Sequence, residues 1–204
     1  MELELLGWPP DGPTLRLDHR RFSYAGKFVM SNTGKAVVRE EDEPIAAVAF
    51  NEDRTDSSTL WLRYVTVRAD RRGEGIGPRL LGFVREHARD RGYECVRIAV
   101  NNPFAYEACY RVGFGYTGRR TGIAELVLEH PGDRSREHYQ EGLDAFRERD
   151  LSDGEREFLD RKRGADPPSG SSEPVVSRSG GPDSMSARAF SRAPPPGTRR
   201  VAAR

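Results

Sequence analysis

The stretch Arg71-Arg72-Gly73-Glu74-Gly75-Ile76-Gly77-Pro78 decides how this chain folds. Leu60 to Val67, just before it, reads as a strand, and Arg79 to Arg91, just after it, reads as a helix. A strand, a glycine-rich turn and a helix N-terminus together make an anion trap. Glycines let successive backbone N–H groups converge on one point, and the helix dipole adds partial positive charge there. A diphosphate suits such a turn.

The neighbouring segments follow from their periodicity. In Leu60 to Val67, Leu60, Leu62, Tyr64 and Thr66 alternate with Trp61, Arg63, Val65 and Val67, which predicts two faces of a strand. The helix carries Leu80, Leu81, Val84 and Ala88 on one stripe and Arg85, Glu86, Arg89 and Asp90 mostly opposite. Pro78 suits a first turn and Gly92 a terminator. Tyr93 to Val100 alternates again, and Asn102-Pro103 then pairs an N-cap with proline at the first helical position. That second helix runs to about Val112 and stops at Gly113, and Leu126-Val127-Leu128 reads as a last strand. Upstream, Leu3 to Leu6 is a short apolar run, Lys35 to Glu40 a further strand candidate and Ile45 to Phe50 a buried strand. Between them, Leu15, Leu17, Phe22, Tyr24, Phe28 and Val29 predict two short strands with a turn near Asp18-His19-Arg20. Trp8 and Trp61 read as packing residues.

Bulk properties narrow the classes. The chain has 204 residues and a formal net charge of +1, so no global field favours nucleic acid or a membrane surface. Its basic residues are nearly all arginine; the lysines are Lys27, Lys35 and Lys162. Cys95 and Cys109 lack metal-ligand spacing, and no metal is expected. The N-terminal residues lack a basic and apolar leader pattern, and no apolar run approaches the ~20 residues of a membrane span. A soluble cytoplasmic protein is the expectation, with no membrane partner and nucleic acid disfavoured. A homodimer is left open. Composition divides the chain into a folded domain at 1–132, a charged helical extension at 133–163 and a Pro-, Ser-, Gly- and Arg-rich tail at 164–204, expected to be disordered.

Three phosphate-loop patterns compete for the glycines. A nucleoside-triphosphate loop needs a lysine after the last glycine, and none follows here. A dinucleotide fingerprint needs a third glycine where Leu80 stands, and a βαβ unit where the early strands look antiparallel. The pattern R-x-x-G-x-G is met by Arg72, Gly75 and Gly77. With Val65-Thr66-Val67 ahead of it, this segment resembles the acetyl-CoA loop of the GNAT superfamily of N-acetyltransferases. Asn102-x-x-Ala105 followed by Gly113-Phe114 resembles a second segment of that family, in the same order.

The resemblance implies an α/β (α+β) fold: a mixed, mostly antiparallel sheet flanked by helices, with two strands splayed at the cofactor site. It implies acetyl transfer from acetyl-CoA to a primary amine of a small-molecule or peptide acceptor. The backbone of Val65, Thr66 and Val67 would pair with the pantetheine arm. Main-chain N–H groups of Arg72, Gly73, Glu74, Gly75, Ile76 and Gly77 would hold the pyrophosphate, with Arg72 adding charge. Asn102 would hydrogen-bond the coenzyme or a nearby water. Many members carry a tyrosine four residues before the G-F glycine as general acid; this chain has Cys109 there, with Tyr110 adjacent and Tyr106 one turn back. All three stay open as proton donors. Glu52, Asp53, Glu94 and Glu125 stay open as bases. The missing tyrosine also keeps alive a non-catalytic acyl-CoA-binding or regulatory module.

Overall fold

A computed structural model describes residues 1–170. Seven strands form one sheet: β1 Glu2–Gly7, β2 Gly34–Glu40, β3 Glu43–Glu52, β4 Thr59–Val67, β5 Cys95–Val100, β6 Gly115–Arg120 and β7 Leu126–His130. Their order is β1-β2-β3-β4-β5-β7-β6. Every pairing is antiparallel except β4 with β5. A parallel pair needs a crossover, and helix α1, Ile76–Asp90, supplies it. Three further helices follow: α2 Pro103–Arg111, α3 Arg136–Arg147 and α4 Asp153–Arg161. The mixed, mostly antiparallel sheet with flanking helices is the architecture the sequence predicts.

The main core lies under α1 and α2. Ala46, Val48 and Phe50 of β3 meet Leu80, Leu81 and Val84 of α1 there. On the opposite face, Ala47 and Ala49 join Leu15, Phe28 and Val37 in a second cluster. Both faces of β3 are therefore covered, which explains its unbroken apolar run.

Residues 15–29 do not form the two expected strands. They are turns around a short 3-10 segment, Ala25–Lys27. Asp18 folds the chain back, because its carbonyl accepts from the N–H groups of Arg21 and Phe22. Phe22, Ala25 and Phe28 are still buried, so the segment covers the sheet with side chains and not with a ladder. Strand β6 has no counterpart in the sequence reading. Its residues, Gly-Tyr-Thr-Gly-Arg-Arg, carry no alternation, and its register with β7 slips between Tyr116 and Arg120.

The charged stretch after residue 132 forms α3 and α4, whose apolar stripes join the main core. Tyr139, Leu143 and Phe146 are fully buried there beside Tyr106 and Tyr110 of α2. Ser152 opens α4 with a complete capping box to Glu155. Residues 164–170 are held against α3 and the segment before it: Gln140 of α3 donates to the Ala165 carbonyl at 2.7 Å, and Arg134, two residues before the helix, donates to that of Pro168. The rest of the expected tail, 171–204, lies outside the described residues.

Candidate functional site

Strands β4 and β5 start together and then part. They pair from Thr59 with Cys95 to Leu62 with Ile98. Beyond that, β4 runs on to Val67 while the end of β5 pairs with β7. The edge of β4 that faces β5 thus has no strand partner from Arg63 to Val67; the Val67 carbonyl accepts from Arg72 Nε at 3.4 Å, and the groups before it are open to an extended ligand.

A bulge begins this divergence. Ala49 pairs with Tyr64 and Phe50 with Leu62, so Arg63 is an extra residue in β4. An extra residue bends the strand and reverses the phase of every side chain after it. The sequence alternation put Tyr64 on the face of Leu60 and Leu62; the structure corrects this. Val65 and Val67 pack on the main core with Leu60 and Leu62. Tyr64 turns to the second cluster on the other face. Thr66 is 4% exposed, and its hydroxyl has no hydrogen-bond partner among the described residues. A buried, unpartnered hydroxyl beside an unpaired strand edge fits a polar ligand arm.

The glycine turn lies at the end of this edge. Gly73 and Gly75 have φ of +88° and +75°, and a Cβ at either would meet nothing within 4 Å. Their need for glycine is therefore conformational, with open space in front of the turn. Helix α1 begins at Ile76, three residues before the sequence expectation. Its N-cap is Gly75, with no side-chain cap and no acidic residue in the first turn. The first amides of α1 thus keep their dipole charge for a ligand.

Two arginines flank the turn and do different things. Arg71 reaches both Glu74 carboxylate oxygens at 2.9 Å and also pairs with Glu40. Glu40 first, then Glu74, push its guanidinium further up. This fork holds the Glu74 charge, leaving its backbone to serve the turn. Arg72 donates from Nη2 to the Ser23 hydroxyl at 2.9 Å, tying the turn to the 15–29 segment.

Asn102 is the N-cap that the sequence predicts. Its Oδ1 caps α2 by accepting from the Ala105 N–H at 2.9 Å, and its Nδ2 donates to Asn101 at 3.0 Å. Asn102→Ala should lower stability by about 1 kcal/mol. A urea melt checks this, with the midpoint falling and the slope unchanged.

The three proton-donor candidates are all buried, Tyr106 and Tyr110 against α3 and Cys109 in the main core. The Tyr106 hydroxyl is within 3.3 Å of the Tyr110 hydroxyl and of the carbonyls of His138 and Tyr139. The Tyr110 hydroxyl accepts from the Tyr116 N–H at 2.9 Å. Burial raises both phenols, and it pushes the Cys109 thiol up to about 12. Tyr106 and Tyr110 hold α2 and α3 together, and Cys109 is a buried residue of the main core.

The base candidates divide. Asp53 accepts from Thr55, Trp61 and Arg97, and these bonds, Thr55 first, hold its carboxyl far below the usual range. That makes it a poor base. Glu52 accepts from the Tyr93 hydroxyl at 3.4 Å, Glu125 shares a turn with Thr121, and Glu94 is exposed.

One residue the sequence reading passed over stands at the mouth of the gap. Tyr24 has a left-handed backbone, φ 59°, and is 51% exposed. Its hydroxyl accepts from Asn101 Nδ2 at 3.2 Å, just past β5. Its ring centroid lies 6.1 Å from that of Tyr64 on β4. Tyr24 therefore spans the two diverging strands. A non-glycine residue held at positive φ is the signal, and it is visible only in coordinates.

The sequence profile of the Acetyltransferase (GNAT) family matches residues 2–114. A search of curated proteins finds no match. Among solved structures, an N-acetyltransferase from Staphylococcus aureus Mu50 is 19% identical with a TM-score of 0.43, covering 48% of this chain and 66% of its own. This chain thus spans just under two thirds of that protein. A ribosomal-protein-alanine N-acetyltransferase from Brucella melitensis is 20% identical with a TM-score of 0.43, covering 48% and 67%. An acetyltransferase from Bacillus subtilis in complex with CoA is 14% identical with a TM-score of 0.48, covering 62% and 95%.

Proposed function

Since the chain belongs to the Acetyltransferase (GNAT) family, we propose that it moves an acetyl group from acetyl-CoA to a primary amine of a small-molecule or peptide acceptor. The observation that supports this most is the parting of β4 from β5 after Leu62 and Ile98, with the uncapped start of α1 at the end of the free edge. The free edge of Val65, Thr66 and Val67 binds the pantetheine arm as a neighbouring strand would. The amides from Arg72 to Gly77 hold the pyrophosphate. Arg71 keeps the Glu74 carboxylate from repelling it.

The coenzyme supplies a thioester, which a neutral amine attacks with release of a thiolate. The chain supplies position and proton handling. Holding both reactants in place accounts for much of the rate in such transfers. Tyr106, Tyr110 and Cys109 are engaged in the core, so the hydroxyl at the gap is that of Tyr24. Tyr24 orients the acceptor and passes a proton at Oη. Tyr24→Phe should lower kcat about 10²-fold while the Kd for CoA stays unchanged. Equal kcat in the variant would leave proton transfer to solvent.

The experiment that tests the function is release of free CoA thiol with a panel of amines, beside calorimetry with CoA. Tight binding with turnover supports the transferase. Tight binding with no turnover on any amine favours the non-catalytic module.

A further inference from the structure

Lys27 ends the 3-10 segment that begins one residue after Tyr24. Its ammonium lies 5.8 Å from the centroid of the Tyr64 ring. The bulge at Arg63 has turned Tyr64 onto this face, and the next residue, Val65, starts the edge assigned to the pantetheine arm. A primary amine of the chain itself thus stands over the aromatic floor of the acceptor mouth, held by a cation–π contact.

The segment that carries Lys27 is tied to the mouth on three sides. The Arg21 carbonyl accepts from the Ala69 N–H at 2.9 Å, beyond the end of β4. The Ser23 hydroxyl accepts from Arg72 in the phosphate turn. Tyr24 meets Asn101 beyond β5. Phe28, next to Lys27, is fully buried. Lys27 is therefore an exposed side chain on an anchored backbone, free to swing over a short radius.

The chain's other two lysines are committed elsewhere. Lys35 is fully buried and donates to the carbonyls of Met30 at 2.6 Å and Thr33 at 2.9 Å. Lys162 donates to Glu107 at 2.6 Å on the α4 side of the molecule. In a chain with three lysines, the one at the mouth is the one with a free amine to offer.

We infer that Lys27 is a self-acetylation site, modified by the acetyl-CoA bound in the same chain. This rests on the transferase reading above. Lys27 Nζ first loses a proton to solvent, and its lone pair attacks the thioester carbonyl carbon. The C–N bond forms as the C–S bond breaks, the nitrogen gives up its second proton, and the thiolate takes up one proton to leave as CoA. No oxidant, reductant or further reactant is required. The product is an uncharged acetyl-lysine in place of the cation over Tyr64.

The test is to incubate the full chain with acetyl-CoA and no acceptor, then map acetyl groups by peptide mass spectrometry. The expected result is one acetyl group at Lys27, with Lys35 and Lys162 unmodified. The rate per chain should not depend on protein concentration, as transfer within one molecule requires. Lys27→Arg should abolish the modification while keeping CoA affinity. An unmodified Lys27 in a preparation that acetylates added amines would overturn the inference and leave the transferase reading standing. Acetylation spread equally over Lys162 and the chain's α-amine would also overturn it, as plain solution chemistry. No acetylation of Lys27 or of any added amine would overturn both.

Discussion

Gly75→Glu is expected to remove measurable CoA binding. Calorimetry should show the affinity falling more than about 100-fold, with the circular dichroism spectrum unchanged. Two costs combine. A side chain at φ +75° strains the backbone by about 1–2 kcal/mol. A carboxylate about 5 Å from one phosphate charge adds about 3 kcal/mol at an effective dielectric near 20. Gly75→Ala separates them, because it carries the strain alone and should lose only about tenfold. The fold survives either change, since a Cβ at Gly75 meets nothing within 4 Å. Wild-type affinity in Gly75→Glu would remove the turn from the site.

The second large effect concerns the stretch after residue 132. A chain ending at 132 should lose cooperative unfolding, whereas one ending at 170 should keep it. Phe146 of α3 is fully buried and packs edge-on to Tyr106, with centroids 5.7 Å apart. Phe146→Ala should cost about 3–5 kcal/mol, a large part of the ~5–15 kcal/mol typical of a domain. Urea unfolding measures both. The reason is packing: without α3, Tyr106 and Tyr110 of α2 would face water, and Glu107 would lose its hydrogen bond from Tyr139. A cooperative transition at full amplitude in the 132-residue chain would make α3 and α4 an independent appendage.

The parts legible in the sequence were those fixed by local chemistry. The glycine turn, the apolar stripe of α1 and the Asn102-Pro103 start of α2 each declare themselves within a few residues. Long-range relations did not. The Arg63 bulge is set by pairing with β3, so a count along β4 alone put Tyr64 on the wrong face. Residues 15–29 had strand-like composition, but Asp18 and the left-handed Tyr24 turn the backbone instead. Strand β6 is glycine- and arginine-rich and exists because β7 lies beside it. The engagement of Tyr106 and Tyr110 depends on α3, more than twenty residues downstream. Tyr24 gave no motif at all; its position follows from where the chain crosses the gap.

The added residue at position 63 divides one strand into two reading frames for inside and outside. Upstream, even-numbered positions serve the helix-covered interior; downstream, odd-numbered ones do. Deleting that single arginine would leave the composition almost untouched. It would nonetheless let β4 pair with β3 without a bulge, Tyr64 still opposite Ala49 and Val65 still opposite Val48, and so remove the bend at which the two central strands begin to part.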